Sequence, residues 1–448
     1  MKHPDGPKTP TWRQTFHLVK DPLGYMETVT QEYGDTFTLQ FLFVPTVFVS
    51  NPQGMQQIFT NTKEITAPGE LNQFVAPLVG DNGLLLLDGN RHKHRRKLLM
   101  PAFHGDRIRA YGQRICDITE KVMRQQPLGE PVSMLAILDD ICLRIILEVV
   151  FGLRETEARY EAFRKVIPAL LNLSLSPAMD FCFSFPLLQQ DLGQWSPWGR
   201  FRHLMQQFDQ LIYAEIADRR QHPNLVDDRS DILSELVTAC DETGKPMTDS
   251  EIRDLFPSLV FAGRKPPLRP IAWALYWVHQ LPDVRDNLLR ELSEQGNSTD
   301  PMQLLQLPYL TAVCNEALRI YPTQTITFPR RVESPIEVNG YELSPGTIVR
   351  GNIYLAHQRE DVYPNPKQFR PERFLERQFS SYEFLPFGGG ARRCPGEVLS
   401  IFEMKLTLAT LLSHYQLELS DRQPEKPQRR GVTFPPGGGL KMVIDRLN

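Results

Sequence analysis

The most informative stretch of the sequence is Phe387-Gly-Gly-Gly-Ala-Arg-Arg-Cys394-Pro-Gly396. Three consecutive glycines precede the cysteine, and glycine adopts the backbone dihedrals that a tight loop requires. Such a loop can present a thiolate with backbone N–H groups directed at the sulfur, which tunes a cysteine that binds a metal. A glycine-rich turn that holds a free thiol is the alternative interpretation.

The other five of the six cysteines have different surroundings. They lie in apolar, helix-like stretches and are interpreted as small buried hydrophobic residues: Cys116, Cys142, Cys182, Cys240 and Cys314. No two cysteines have CxxC spacing, which argues against a zinc site or a redox dithiol. Cys394 is therefore the cysteine to which we assign chemistry.

Two further motifs carry charge. Glu316-Ala-Leu-Arg319 places an acid and a base three residues apart on one helix face, and Phe369-Arg-Pro-Glu-Arg373-Phe374 follows it. Upstream, Asp88 to Leu99 is a strongly basic stretch in which His92 and Arg96 share one helical face. A paired cationic face suits an anionic group. Taken alone, the first motif is also typical of a surface ion pair, and the second of a solvated basic helix.

In this order, the motifs resemble those of the cytochrome P450 family, and the resemblance extends from about the first strands to the last. The chain resembles soluble bacterial members that hydroxylate long-chain fatty acids or take other apolar substrates. The resemblance implies a mostly α fold with a small β portion, a single haem-thiolate monooxygenase domain over residues 1–448, and haem b as cofactor.

The resemblance also assigns site residues. The haem contacts are His92, Arg96, Ala262, Gly263, Arg331, Phe387, Arg392, Cys394 and Gly396. Cys394 is the ligand of the iron, and Arg392, His92 and Arg96 bind the haem propionates. Glu316, Arg319 and Arg373 form a buried clamp that fixes the cysteine loop. Strand alternation turns one of Arg330 and Arg331 inward, and we favour Arg331.

One segment departs from the family. In the helix over the haem, the family has an acid and a threonine that organise proton delivery, but here Lys265 and Pro266 occupy those positions. Pro266, Pro267 and Pro270 each cost roughly 3 kcal/mol in a helix interior. The sequence therefore predicts a kinked or broken helix between Gly263 and Ile271.

Two explanations of this segment remain open. Genuine divergence would give a peroxygenase, a haem-dependent isomerase or a catalytically impaired haem protein. Alternatively, the reading frame has slipped. Lys265 to Pro270 can be encoded AAA CCA CCG CTA CGG CCA, and one G restored before it gives GAA ACC ACC GCT ACG GCC. That reads Glu-Thr-Thr-Ala-Thr-Ala, which the family would place here, and the slip needs a second, compensating change before Ile271.

Composition and charge limit which partners and which cellular location the sequence predicts. The 448 residues have a formal net charge of −3, which gives no global electrostatic case for nucleic acid or an anionic membrane. The N-terminus is polar and Pro-rich, and no apolar run is long enough to span a bilayer, so we expect a cytoplasmic protein without a transmembrane segment. Electrons are expected from a ferredoxin or flavodoxin with its reductase, and the substrate is expected to be a small apolar molecule such as a fatty acid or terpenoid.

Apolar periodicity predicts the main elements. Helices are expected at 108–125, 135–151, 201–220, 230–240, from Thr248 towards Val260, and at 271–279, 307–321 and 398–415. Strands are expected near 36–48 and within 325–349, with a turn at Asn339-Gly340.

Overall fold

The structure is a computed structural model that describes residues 3–41, 43–103, 106–222, 230–294, 300–421, 423–431 and 433–446. The chain forms two compact units. The first unit comprises Met1–Leu71 and Asn315–Cys394, and the second comprises Asn72–Cys314 and Pro395–Asn448. The single domain over residues 1–448 stays a prediction.

Helices dominate the described residues, with 58% helix against 12% strand, which confirms a mostly α fold. The helices are α1 (Thr11–Lys20), α2 (Pro22–Tyr33), α3 (Pro52–Thr60), α4 (Ala76–Val79), α5 (Gly89–Leu99), α6 (Asp106–Arg124), α7 (Met134–Ile145), α8 (Ala158–Ser174), α9 (Pro177–Ser184), α10 (Pro197–Gln221), α11 (Ile232–Thr238), α12 (Asp249–Gln280), α13 (Pro282–Glu294), α14 (Pro301–Leu304), α15 (Pro308–Ile320), α16 (Ile353–His357), α17 (Arg373–Glu376) and α18 (Glu397–His414). The strands are β1 (Thr36–Phe41), β2 (Val44–Val49), β3 (Ile65–Thr66), β4 (Pro131–Ser133), β5 (Arg330–Val332), β6 (Ile336–Val338), β7 (Tyr341–Leu343), β8 (Ile348–Gly351), β9 (Tyr415–Leu419) and β10 (Lys441–Arg446).

The first unit is built on a five-stranded sheet with the order β1-β2-β8-β5-β3. β2 pairs antiparallel with β1 and parallel with β8. Alternation along β2 buries Val47 and Val49 in one apolar cluster and Phe48 in another, so both faces of the sheet are covered. β6 and β7 form the predicted hairpin, and Asn339 and Gly340 at its turn both have positive φ.

The second unit is helical, with a small sheet of order β4-β10-β9. Its longest helix, α12, packs against α7 and α18. The C-terminal half of α12 is fully buried around Trp273, whose indole N–H donates to the Phe434 carbonyl at 2.9 Å. α12 starts at its N-cap Thr248, as the sequence predicted, with a capping box in which the Thr248 hydroxyl accepts from the Glu251 N–H and the Glu251 carboxylate accepts from the Thr248 N–H.

Of the predicted kink or break in this helix, the break is wrong. α12 runs without interruption from Asp249 to Gln280, with Pro266, Pro267 and Pro270 inside it. The physical reason is the packing of the C-terminal flank, since residues 271–276 are all buried. Proline has no N–H, so Pro266 and Pro267 cannot donate to the carbonyls of Ala262 and Gly263.

Most of the other helix predictions are confirmed within a few residues, and two details differ. α7 continues into a π-helical segment, Ile146–Val150, where the sequence predicted one helix to residue 151. Cys240 is exposed and Cys116 is half-buried, so the interpretation of all five cysteines as buried was wrong for these two. Among the described residues, no single helix has the length and apolarity to cross a bilayer, although the bent pair Ala158–Ser174 and Pro177–Phe183 meets that test on length and composition.

Candidate active site

The cysteine loop of the first unit depends on its glycines. Gly388 and Gly390 have φ of 71° and 65°, which disfavour any residue with a side chain. A Cβ on Gly389 would lie 2.5 Å from the Phe59 ring. The loop closes when the Cys394 N–H donates to the Phe387 carbonyl at 3.0 Å. The backbone thus presents a half-buried Cys394 on the tight loop that the sequence predicted.

β5 turns Arg330 inward, so the choice of Arg331 was wrong. Arg331 is partly exposed and forms ion pairs with Glu70 and, at 3.0 Å, with Glu333. Arg330 is 4% exposed, and its guanidinium donates to the carbonyls of Gly389 at 2.8 Å and Phe328 at 3.2 Å. One of the two arginines is buried, as alternation predicted, but the sequence did not show which face of β5 is covered.

Arg330 is held beside other cations. Burial and, after it, the neighbouring charges of Arg392 and Arg350 together lower its pKa to about 9. Arg392 donates to the Ala67 carbonyl at 3.1 and 2.7 Å. The acceptors that the described residues offer to Arg330 are all neutral, and the Phe59 ring lies 4.3 Å from its guanidinium carbon. A buried guanidinium next to like charges is stabilised when an anion joins it.

Glu316, Arg319 and Arg373 form the buried clamp that the sequence predicted. Glu316 and Arg319 are fully buried and meet through two hydrogen bonds of 2.7 and 2.8 Å. Glu316 also accepts from Arg373 Nε at 3.1 Å and from the Arg370 N–H at 2.8 Å. The alternative of a surface ion pair is therefore excluded.

His357 connects this clamp to the cysteine loop. Arg319 donates to the His357 carbonyl at 2.7 Å, and His357 Nε2 accepts from the Leu385 N–H at 3.1 Å. Burial lowers the pKa of His357 to about 3, so the ring is neutral and can accept this bond. Leu385 stands two residues before Phe387, where the loop begins. The clamp is thus linked through His357 to the segment that leads into the loop, a link that the sequence did not reveal.

In the second unit, α5 carries the predicted pair on one face, with His92 buried and Arg96 half-buried. Lys93, His94 and Lys97 are exposed, and Lys97 forms an ion pair with Glu242. Arg95 of the same helix, to which the sequence assigned no role, is buried and pairs with the Glu251 carboxylate. Gly396 caps α18, and a Cβ there would meet Phe103 at 3.8 Å, an ordinary contact, so space alone does not require glycine.

The middle of α12 has an open apolar face. Ala262 is exposed, and Leu259, Phe261 and Gly263 are partly exposed, whereas the helix is almost entirely buried from Pro267 onward. We call these four residues the open face of α12. A Cβ on Gly263 would meet Ile146 of the π-helical segment at 3.5 Å.

Beside the open face, α12 carries Arg264, Lys265 and Arg269, three cations that share one carboxylate and were not predicted as a group from the sequence. Asp139 accepts from Arg264 at 2.7 Å and from Lys265 at 3.0 Å. Burial lowers the pKa of Lys265, and it lowers that of Arg269 to about 10. Nε and one Nη of Arg264 and of Arg269 have no hydrogen-bond partner among the described residues. Each such donor costs about 1–3 kcal/mol.

A buried carboxyl and a buried thiol belong to the same interior region. Glu403 of α18 is buried, and burial raises its pKa to about 8 even though a hydrogen bond from Cys142 acts in the opposite direction. Glu403 is therefore mainly protonated near neutral pH and offers little negative charge to the arginines. The cations of residues 264–269 thus share Asp139 as their ionised partner within the described part of this unit.

Comparisons with known proteins agree with this geometry. The family model described as cytochrome P450 matches residues 4–442. The chain belongs to the cytochrome P450 family. It is 32% identical over 446 residues to cytochrome P450 135B1 of Mycobacterium tuberculosis, covering 99% of this chain and 92% of that protein. It is 30% identical to cytochrome P450 138 of Mycobacterium bovis, covering 93% and 90%. The fold matches the retinoic acid-bound cyanobacterial CYP120A1 with a TM-score of 0.84, at 22% identity and full coverage of both chains.

Membership of the P450 family makes this chain a haem-dependent monooxygenase, and the residues of the first unit fit a haem. The loop offers a cysteine thiolate, which is the donor that P450 iron takes. Arg330 and Arg392 supply two guanidiniums, and that of Arg330 is buried among neutral acceptors. The haem propionates are carboxylates, which are suitable acceptors for such donors.

We expect Arg319→Ala to yield a P450 with little bound haem and a free energy of unfolding lower by about 3 kcal/mol, because the fully buried Glu316 would lose two of its hydrogen bonds and keep Arg373 as its charged partner. Haem absorbance per protein and urea unfolding measure the two effects. The matched control is Arg370→Ala, which removes an exposed ion pair with Glu376 and should cost less than about 1 kcal/mol. Equal losses in both variants would contradict the clamp.

Proposed function

We propose that this P450 uses haem b to insert one oxygen atom of dioxygen into a small apolar substrate, with electrons from a separate ferredoxin or flavodoxin and its reductase. We propose that residues 1–448 act as one catalytic domain in the cytoplasm. The observation that carries the proposal is the glycine loop that presents Cys394 while Arg330 and Arg392 lie in the same unit. When bound, the haem supplies the oxygen chemistry.

The residues have distinct roles in this proposal. Cys394 donates its thiolate to the iron, and the thiolate pushes electron density toward it. Arg330 and Arg392 bind and orient the propionates in the first unit, where Arg330 replaces our sequence-based choice of Arg331. His92 and Arg96 add propionate contacts from α5. Phe387 and Gly396 bracket the loop.

The open face of α12 supports an apolar substrate. Leu259, Phe261, Ala262 and Gly263 offer aliphatic and aromatic surface without a charge, and burial of such surface contributes about 25 cal/mol per Å². Fatty acids and terpenoids have this character. The basic surface of α5 supports an acidic electron donor, since Lys93 and His94 are exposed.

Lys265 and Pro266 do not supply the proton route that the family uses. Pro266 has neither hydroxyl nor N–H, and Lys265 directs its ammonium group to Asp139 at 3.0 Å. Because this proton is held against a carboxylate, neither residue 265 nor residue 266 passes protons readily to the open face. With Lys265 and Pro266 at these positions, only a small fraction of the electrons taken from the donor should therefore end in product.

Turnover with labelled dioxygen tests the proposed function. The holoprotein is supplied with NADPH, a ferredoxin reductase, a ferredoxin and palmitic acid or a cyclic terpene. We expect one labelled oxygen atom in the product and a surplus of hydrogen peroxide. Product formed with added peroxide but never with the ferredoxin would support the peroxygenase alternative instead. A change in the haem absorbance on adding palmitic acid reports binding independently of turnover.

We expect Arg330→Leu to weaken haem binding by about 10- to 100-fold, the worth of one hydrogen bond to a charged group. The apoprotein should be as stable as the wild type or more so, because the variant removes a buried cation. The rate of haem transfer to apomyoglobin and thermal unfolding measure the two effects. Arg331→Leu is the control and should change neither greatly. A variant that loses apoprotein stability along with haem would indicate a structural role.

A further inference from the structure

Helix α1 of the first unit has its apolar stripe on the solvent side. Trp12, Phe16 and Val19 have the i, i+4, i+7 spacing of one helical face, and each is between 56% and 69% exposed. Gln14 and Leu18 are buried on the opposite side. A surface helix of a globular protein normally turns its apolar stripe inward, so this helix is oriented the other way round.

Hydrogen bonds of Gln14 fix this orientation. Its amide nitrogen donates to the carbonyls of Pro7 at 2.9 Å and Thr9 at 2.8 Å, and its amide oxygen accepts from the Gln40 N–H at 3.0 Å. Rotating α1 to bury the apolar stripe would break all three bonds. The exposed stripe is therefore a built feature of the first unit.

The flank of the stripe is basic. Arg13 and Lys20 are exposed and lie about 80–100° around the helix from Trp12, at 100° per residue. The ammonium group of Lys20 lies 5.9 Å from the Phe16 ring. The ten residues of α1 include no acidic side chain. An aromatic and aliphatic face bordered by cations is complementary to the surface of an anionic bilayer.

The turn between β1 and β2 adds a second exposed apolar point to this unit. Phe43 is exposed with φ of 65°, a conformation that is unusual for a bulky residue, and the neighbouring Val44 is exposed too. Gly or Asn would fit this backbone better, so stability of the turn does not account for the aromatic ring. The turn follows Gln40, which binds α1 through Gln14.

From these observations we propose that α1 is a membrane-surface anchor, which lays Trp12, Phe16 and Val19 into the headgroup region of an anionic lipid bilayer. Charge complementarity favours lipid over a second copy of this chain, since paired copies would bring two basic flanks together without an acid on either helix. The proposal is independent of the substrate and goes beyond the proposed oxygenase activity.

Co-sedimentation of the full-length holoprotein with vesicles tests the anchor. We expect binding to vesicles of about three parts phosphatidylcholine to one part phosphatidylglycerol, weakened by salt and about fivefold or more weaker on pure phosphatidylcholine. Phe16→Glu should weaken binding at least about tenfold, and Arg13→Glu at least about fivefold. Both side chains are exposed, so haem content should not change.

Leu375→Glu is the matched control, because Leu375 is an exposed apolar residue of the same unit outside α1. It should bind anionic vesicles like the wild type. Failure of the wild type to bind, or equal binding by wild type and Phe16→Glu, would overturn the proposal. A concentration-dependent dimer in sedimentation velocity that Phe16→Glu abolishes would also overturn it and would assign the stripe to a second copy.

Discussion

Cys394→Ser should abolish the thiolate spectrum of the ferrous carbonyl complex and all oxygenase turnover. A serine hydroxyl does not replace a thiolate as the electron-donating ligand of the iron. The loop itself should survive, because the bond that closes it runs from the residue-394 N–H to the Phe387 carbonyl and does not involve the side chain. The absorption spectrum of the reduced, carbonyl-saturated protein is the measurement.

Two controls make this result specific. Cys142→Ser changes a fully buried cysteine of the second unit and should leave the carbonyl spectrum of properly folded protein in its thiolate form. Cys394→His should bind haem with a spectrum typical of a nitrogen ligand. A Cys394→Ser protein that keeps the thiolate spectrum would remove Cys394 as the ligand, and with it the central assignment of this P450.

The sequence predicted the parts of the site that depend on local chemistry. The cysteine loop follows from Gly388, Gly389 and Gly390, because each glycine meets a dihedral or a contact that another residue would not tolerate. The spacing of Glu316 and Arg319 predicted that the two side chains pair. That the pair is buried was predicted from the family resemblance and not from the spacing.

The errors arose where tertiary packing decides. Alternation in β5 could not distinguish Arg330 from Arg331. Arg330 is the buried one because it lies on the covered face of the sheet. The prolines of α12 predicted a break, but apolar burial of the flanking residues outweighed local propensity. The orientation of α1 was not predicted, because its apolar stripe has a period that any amphipathic helix shares.

Exchanging Lys265–Pro270 for Glu-Thr-Thr-Ala-Thr-Ala should produce the largest gain of any variant. Removing three prolines from the interior of α12 and an orphaned, buried Arg269 should raise the free energy of unfolding by several kcal/mol, since each proline costs about 3 kcal/mol. The ion pair of Arg264 with Asp139 at 2.7 Å is retained. Thermal and urea unfolding measure the gain.

The same exchange should restore coupling. Glu at position 265 and Thr at position 266 supply an acid and an alcohol next to the open face, and both groups can pass protons. Lys265 and Pro266 provide neither an acid nor an alcohol there. We expect more product and less hydrogen peroxide for each NADPH consumed. Resequencing the gene across codons 263–271 tests the reading-frame slip directly, whatever the kinetics show.

Pro257→Ala separates the two effects of the exchange. Pro257 lies in the same helix outside the altered segment, so its removal should raise stability through helix propensity alone. Its ratio of peroxide to product should stay that of the starting protein. If the six-residue exchange and Pro257→Ala shift that ratio equally, helix strain and not the acid and alcohol limits coupling. If the exchange changes neither product yield nor melting temperature, both the proton-delivery argument and the frame-slip explanation are wrong, and residues 265–270 are native to a P450 that works without the usual pair.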